Sequence, residues 1–383
     1  MKKLLQVLLV TLLAISLFGC SEKNNDPDNG VVKVKVGILQ DLTGATSSLG
    51  NSCLEGVKDA IKEINEQGKL EISYVEYDTA GDTATAVNMY TTAVTVDNVD
   101  LIIGPPIANI VNGIKAATES YDVPVITFAV DPACYTDENG KLYTYLSCIQ
   151  PSTDVQGKIM ADFAYQNGHR NVGVFYTENN SYSVALLKPF VDEFRSLGGT
   201  IEEKNIIPYQ STETDIKTLI KPLVDAGLDA IYCPNYTQPL VLIAQTCVDL
   251  EYKGKIINGL DAAPAFNSQA GIDDLSFVYY INNIDIYDEV TAAKAAKASD
   301  KVGAINKYFL GYDAMTMAAK CIEEVGLDGK TLANAIVNVK NFDGLTGTLT
   351  MDPKTHMPAL ETPMFMYTYE GTTPVMLQKY PKD

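Results

Sequence analysis

"VKVKVGILQDLTGATSSLGNSCLEGVKDAIKEINEQG", residues 32–68, decides the fold. Val32, Val34, Val36 and Ile38 alternate with other residues, the two-residue period of a strand. A loop rich in Gly, Thr and Ser follows Asp41. Leu54, Val57, Ala60, Ile61 and Ile64 then recur at helical spacing, and Gly68 supplies the residue that most easily takes the left-handed conformation ending a helix.

The same strand–loop–helix unit recurs downstream. "LEISYVEYD" (70–78) reads as a strand and "TATAVNMYTTAV" (83–94) as a helix. "VDLIIGP" (99–105) leads into a helix over "IANIVNGIKAATES" (107–120), and "VPVITFA" (123–129) is a further strand. After a hairpin-like "TDENGKLYTYLS" (136–147) the rhythm restarts. Helices read over 154–168, 181–198, 213–227 and 239–252 alternate with strands at 171–178, 200–209, 228–236 and 255–261. Such alternation implies parallel sheets with helices on both faces, and two runs of over 100 residues each imply two doubly wound α/β domains. A helical tract from Thr291 to Gly326, a helix in "KTLANAIVNVKN" (330–341) and a strand in "TGTLTMD" (346–352) are expected to complete those two rather than build a third.

The N-terminus carries a separate message. Lys2 and Lys3 precede an almost wholly apolar run from Leu4 to Phe18, too short for a comfortable membrane span of about 20 residues. Leu17-Phe18-Gly19-Cys20 resembles the lipobox of bacterial lipoproteins, which implies cleavage before Cys20 and lipidation of its thiol. Residues 1–19 are then a signal peptide, and 20–30 a polar, Asn-, Asp-, Pro- and Gly-bearing tether on the outer face of a bacterial membrane.

Composition narrows the function. The formal charge of −19 disfavours nucleic acid and anionic lipid as partners. Six cysteines besides Cys20 (Cys53, Cys134, Cys148, Cys233, Cys247, Cys321), an even count that allows disulfides, lack CxxC spacing; several stand in apolar contexts, and plain buried thiols are the expectation for most. No metal site is expected. There is no GxxxxGK[ST], no GxGxxG after a strand, no GxSxG and no HExxH. The two histidines, His169 and His356, fall in turn-like sequence and read as solvated. No constellation supports catalysis, and no cofactor is expected.

The quoted stretch closely resembles the opening of the type I periplasmic binding proteins for branched-chain amino acids. The likeness continues in order through "EYDTAGD", "LIIGP", "VPVIT", "PSTDVQG", "YYINN", "GYDA" and "GTLTMD". It implies two lobes joined by three crossovers, closing on a small-molecule ligand and delivering it to an ABC permease; a monomer is expected. The lobes are expected at 31–150 with 283–344, and at 151–282 with 345–383. A ligand-sensing ectodomain using the same trap without transport is the alternative.

The ligand is expected outside the carboxyl ends of the parallel strands. Helices starting near Ala108 and Tyr182 would aim N–H groups there. Carried over residue by residue, the resemblance gives Asp261 the role of holding a ligand ammonium. Tyr182 and Tyr236 become aromatic walls, and Leu49 stands where the family has a loop aromatic. Ala108, or Asn109 if the loop slips, stands where the family has a serine, and Asp131 where it has a threonine. Pro106 and Ala129 complete the expected site. Asp313 in "GYDA" reads as structural. Asp131 would repel a simple carboxylate, so leucine, isoleucine and valine are expected to bind weakly. The preferred solute would be an amino-acid-like or amide-like small molecule, with donors for Asp131 and Asp261.

Overall fold

A computed structural model describes residues 30–260, 265–285, 287–298 and 302–381. Residues 1–29, with the signal-peptide, Cys20 and most of the tether expectations, lie outside them, as does Asp261. The chain separates into a unit ending at Val32 and a unit spanning Lys33–Asp383, and the second is described here.

The opening stretch forms β1 (Val32–Gln40) and α1 (Ser47–Gln67), with Gly68 in the left-handed conformation at φ 76°. The unit then repeats as β2 (Leu70–Asp78), α2 (Thr83–Thr95), β3 (Leu101–Ile103), α3 (Ala108–Thr118), β4 (Val125–Thr127) and β5 (Leu146–Cys148). These strands make a five-stranded sheet in the order β2-β1-β3-β4-β5. β1 pairs with β3, β3 with β4 and β4 with β5, all in parallel. β5 corrects the sequence reading, which merged residues 136–147 into a hairpin. Only Thr136 and Leu142 bridge there, and Leu146 to Cys148 join the sheet beside β4.

The second run gives α4 (Thr153–Gln166), β6 (Val172–Thr177), α5 (Ser181–Ser196), β7 (Ile206–Tyr209), α6 (Lys217–Asp225), β8 (Ala230–Tyr232), α7 (Thr237–Asp249), β9 (Lys255–Asn258), α8 (Ala265–Ala270) and β10 (Val278–Asn282). Next come α9 (Glu289–Ala295), α10 (Ile305–Val325) and α11 (Gly329–Val337), then β11 (Phe342–Gly344), β12 (Gly347–Leu349), β13 (Met351–Asp352) and β14 (Met357–Pro358). The chain ends in β15 (Met364–Glu370) and β16 (Thr373–Tyr380). The second sheet runs β16-β15-β10-β9-β8-β6-β7. Its β7, β6, β8, β9 and β10 are parallel, and the antiparallel β15–β16 hairpin adds the edge. The architecture is two doubly wound parallel-sheet lobes joined by three crossovers, after β5, after β10 and between β14 and β15.

Each sheet is buried on both faces. On one face of the first, Val34, Val36 and Ile38 meet Val57, Ile61 and Ile64 of α1, and Met315, Ala318 and Ile322 of α10 lie in the same cluster. On the other, Leu39, Ile102 and Val125 share a cluster with Tyr90 of α2 and Val111 and Ile114 of α3. Each such large side chain, once fully buried, contributes about 1.5–3 kcal/mol. Helices α1 and α10 cross closely because each presents glycine. A Cβ on Gly56 would lie 1.9 Å from the Tyr308 carbonyl oxygen, and one on Gly311 2.3 Å from that of Cys53.

Three further readings are corrected by packing. Residues 345–358 were expected in the second lobe. Instead, Leu349 and Met351 sit in the first lobe's core and Met357 packs beside Cys148. The chain therefore leaves the first lobe after Pro358. His356 is not solvated: it is 9% exposed, its Nδ1 lies 2.9 Å from the Leu146 carbonyl oxygen, and its own carbonyl accepts from the Cys148 amide at 2.9 Å. His169 is half-buried beside the Tyr279 ring. Cys53, Cys134, Cys148, Cys233, Cys247 and Cys321 are all buried free thiols.

Candidate functional site

Loops at the carboxyl ends of both sheets converge on one cavity. Its walls lie close together and leave room for about one water. An amino-acid-sized solute therefore enters only when the walls move apart.

The first lobe supplies Leu49 from the first turn of α1, Pro106 to Ala108 after β3, and Phe128 to Val130 after β4. Gln150 follows β5, and the second lobe supplies Tyr182, Tyr236 and Leu260. The loop before α1 is shaped by two carboxylates. Asp41 accepts from the amides of Gly44 (2.6 Å) and Thr46 (2.8 Å). Asp78 accepts from the Leu42 amide (2.9 Å) and the Thr43 hydroxyl (2.7 Å). Partial burial would raise the pKa of Asp78, but these hydrogen bonds outweigh it and hold it below the ordinary value.

Tyr182 and Tyr236 stack with ring centroids 5.0 Å apart and planes within 9°. The Tyr182 hydroxyl accepts from the Leu260 amide at 2.9 Å. That position requires a glycine beside it, since a Cβ on Gly259 would come within 2.0 Å of the hydroxyl. Tyr236 follows a buried polar junction. Asn235, 2% exposed, accepts from the Thr177 hydroxyl (2.5 Å) and the Tyr209 hydroxyl (2.8 Å), and its amide donates to Asn258 Oδ1 (2.9 Å). The ends of β6, β7, β8 and β9 are thereby tied under the aromatic wall.

The structure thus brings Leu49, Pro106, Ala108, Ala129, Tyr182 and Tyr236 to one cavity. Asn109 is placed beside it: its Oδ1 accepts from the Ser181 amide at 3.3 Å, across the two lobes. Asp131 does not line the cavity. Its carboxylate accepts from the Ala133 amide at 2.9 Å and caps the short turn Pro132–Cys134. Burial raises its pKa, with the Ala133 amide and the Lys115 charge opposing. Asp313 is an anchor: 1% exposed, it accepts from the amides of Leu345 and Thr346, each at 2.8 Å.

Two polar lining residues escaped the sequence reading. Gln150, fully buried, donates from Nε2 to the Phe128 carbonyl at 2.5 Å. Lys307, 7% exposed in the first turn of α10, donates from Nζ to Gln150 Oε1 at 3.4 Å. The available signal was a polar pair, Asn306-Lys307, followed by Tyr308-Phe309-Leu310 in a helix buried on nearly every face. Among the described residues no group of His, Cys, Asp and Glu is placed to hold a metal ion.

A family model described as periplasmic binding protein matches residues 33–373. The chain belongs to the periplasmic binding protein family. This binding protein is similar in structure to a leucine binding protein from Thermotoga maritima, with 24% identity and a TM-score of 0.79, over 90% of this chain and 98% of that one. It is also similar to an ABC transporter solute binding protein from Rhodopseudomonas palustris in complex with p-hydroxybenzoic acid. That match has 14% identity and a TM-score of 0.76, over 91% of this chain and 97% of that one. In sequence it is 21% identical over 346 residues to Glutamate receptor 2.2 of Arabidopsis thaliana, covering 87% of this chain but 37% of the receptor.

Proposed function

We propose that this protein is an extracytoplasmic solute-binding lipoprotein of an ABC importer. It captures an amino-acid-like small molecule between its two lobes and delivers it to a membrane permease. The observation carrying this reading is a cavity walled by the carboxyl-end loops of both sheets. A cavity walled from two lobes shuts by relative movement of those lobes, and binding that spans both favours the shut state. The Thermotoga and Rhodopseudomonas proteins, one named for leucine and one holding p-hydroxybenzoic acid, support a small carboxylic acid as the kind of solute.

Anchoring falls to Cys20 in this reading. No helix among the described residues is long and apolar enough to cross a membrane. Cys20→Ser expressed in bacteria should leave the membrane fraction or accumulate as uncleaved precursor; a processed variant still on the membrane contradicts the anchor. The likeness to a plant receptor favours one second reading, a sensor with the same trap. Finding genes for a permease and an ATPase beside this one would favour transport, and their absence would favour the sensor.

Thermal unfolding tests binding itself. A solute at 100 times its Kd stabilises the protein by about 2.7 kcal/mol. A panel of amino acids and aromatic acids in which no compound raises the Tm, with none co-purifying, defeats the proposal.

A further inference from the structure

Two lobes part only by bending the segments that join them, so the three crossovers are where closure is set. Each carries a buried polar side chain short of a hydrogen bond. Thr153 ends the crossover after β5, Asn283 opens the one after β10, and Thr362 stands in the one between β14 and β15. All three side chains are buried. Yet Thr153 Oγ1, Asn283 Oδ1 and Thr362 Oγ1 have no hydrogen-bond partner among the described residues. Gln156 Oε1, in the first turn of α4, and Asn306 Nδ2, in the first turn of α10, are in the same condition at the ends of the first two crossovers. The backbone beside them is satisfied: the Thr153 amide donates to the Val130 carbonyl at 2.8 Å and the Thr362 amide to that of Ala359 at 3.1 Å. Buried polar groups ordinarily find partners, and leaving one without costs more than a made bond contributes.

We propose that the three crossovers act as a spring that opens the cleft. With the lobes together, each crossover holds a polar group without a partner. Rotation of the lobes changes the backbone angles of these segments and gives each group access to water, which supplies the bond. The open arrangement is thereby favoured in the solute-free protein, and contacts of a solute with both lobes offset the unmade bonds. This goes beyond the proposed function and rests only on its premise that the lobes move apart. It also fixes how the hinge tunes affinity. A solute held by both lobes binds more weakly the more the solute-free equilibrium favours opening. The Tyr90 hydroxyl provides a contrast: it too is buried without a partner among the described residues, but in α2, a helix that takes no part in any crossover.

The test is small-angle X-ray scattering of the mature full-length chain, freed of bound solute by unfolding and refolding, with thermal unfolding run beside it. Wild type should be more extended than the closed arrangement. Thr153→Val combined with Thr362→Val replaces each hydroxyl by a methyl of similar size. This pair should contract toward the closed dimensions, each lost hydroxyl raising the closed-to-open ratio by about tenfold, with a Tm at or above that of wild type. Thr153→Ser combined with Thr362→Ser keeps both hydroxyls and should scatter as wild type does, and so should Tyr90→Phe. A solute-free wild type as compact as the closed arrangement overturns the spring. So does a valine pair that stays as extended as wild type, or that unfolds at a lower temperature, because its hydroxyls then had partners. Contraction reproduced by the serine pair or by Tyr90→Phe overturns it too, since the crossover hydroxyls are then not the cause. All of these outcomes are read without solute, so a failure here leaves the solute-binding reading to its own test by thermal unfolding.

Discussion

Asn109, in the first turn of α3, accepts a hydrogen bond at 3.3 Å from the amide of Ser181, at the start of α5. The first helix packs on one sheet and the second on the other, so this bond spans the entrance between lobes. It forms when the lobes are together and is lost when they part. Asn109→Ala should therefore weaken solute binding by about three- to tenfold, the worth of one ordinary hydrogen bond, with little change in the Tm of the solute-free protein. Calorimetry on the variant checks this, and an unchanged affinity would show that the bond plays no part in holding the lobes together.

Gly259 bears on the aromatic wall. An alanine methyl there would meet the Tyr182 hydroxyl at 2.0 Å, so the ring must swing away from Tyr236. The Leu260 amide then loses its acceptor. Gly259→Ala should lower affinity by at least about tenfold and cost about 1–3 kcal/mol of stability through the orphaned amide. Wild-type affinity and Tm in this variant would mean that Tyr182 does not shape the site.

Asp313 gives a pH dependence. Burial pushes its pKa up from the ordinary 3.8 to about 6, against three donated hydrogen bonds from Leu345 and Thr346. A raised carboxyl binds its proton more tightly in the folded than in the unfolded chain. Stability from this group is therefore greatest below about pH 4 and declines as pH rises toward 6. Measured against Asp313→Asn, wild-type stability should fall by up to about 3 kcal/mol between pH 4 and pH 7. A difference that is flat or rises with pH contradicts the burial reading of this carboxyl.

Much of the fold was written locally. β1 and α1 announce themselves because alternation and helical spacing follow from which face each presents to the core. β5 did not, since three residues carry no period and its place beside β4 is set by the sheet. Residues 345–358 were misassigned because short strands pair in small hairpins whose lobe depends on contacts with α10, α11 and β5. The β15–β16 hairpin went unread, although "MFMYTYEGTTPVMLQKY" holds a glycine turn between apolar runs. The cavity was legible as the carboxyl ends of strands, and the family resemblance placed Tyr182 and Tyr236, 54 positions apart in sequence, on its wall. Asp131 faced another way because a nearby amide, at Ala133, offered its carboxylate a local partner. Lys307 was hidden by its type, since a lysine in a helix ordinarily marks the solvated face.

The most direct measurement of the central claim is a calorimetric titration of a bound carboxylic acid into wild type and Ala108→Leu. Ala108 is 4% exposed and lines the cavity from the first lobe, so a larger side chain there takes up the solute's space. One solute per chain should bind wild type, and binding should be lost in a variant whose circular dichroism and Tm match wild type. Undiminished affinity in Ala108→Leu would place the solute elsewhere and contradict a trap built between the two sheets.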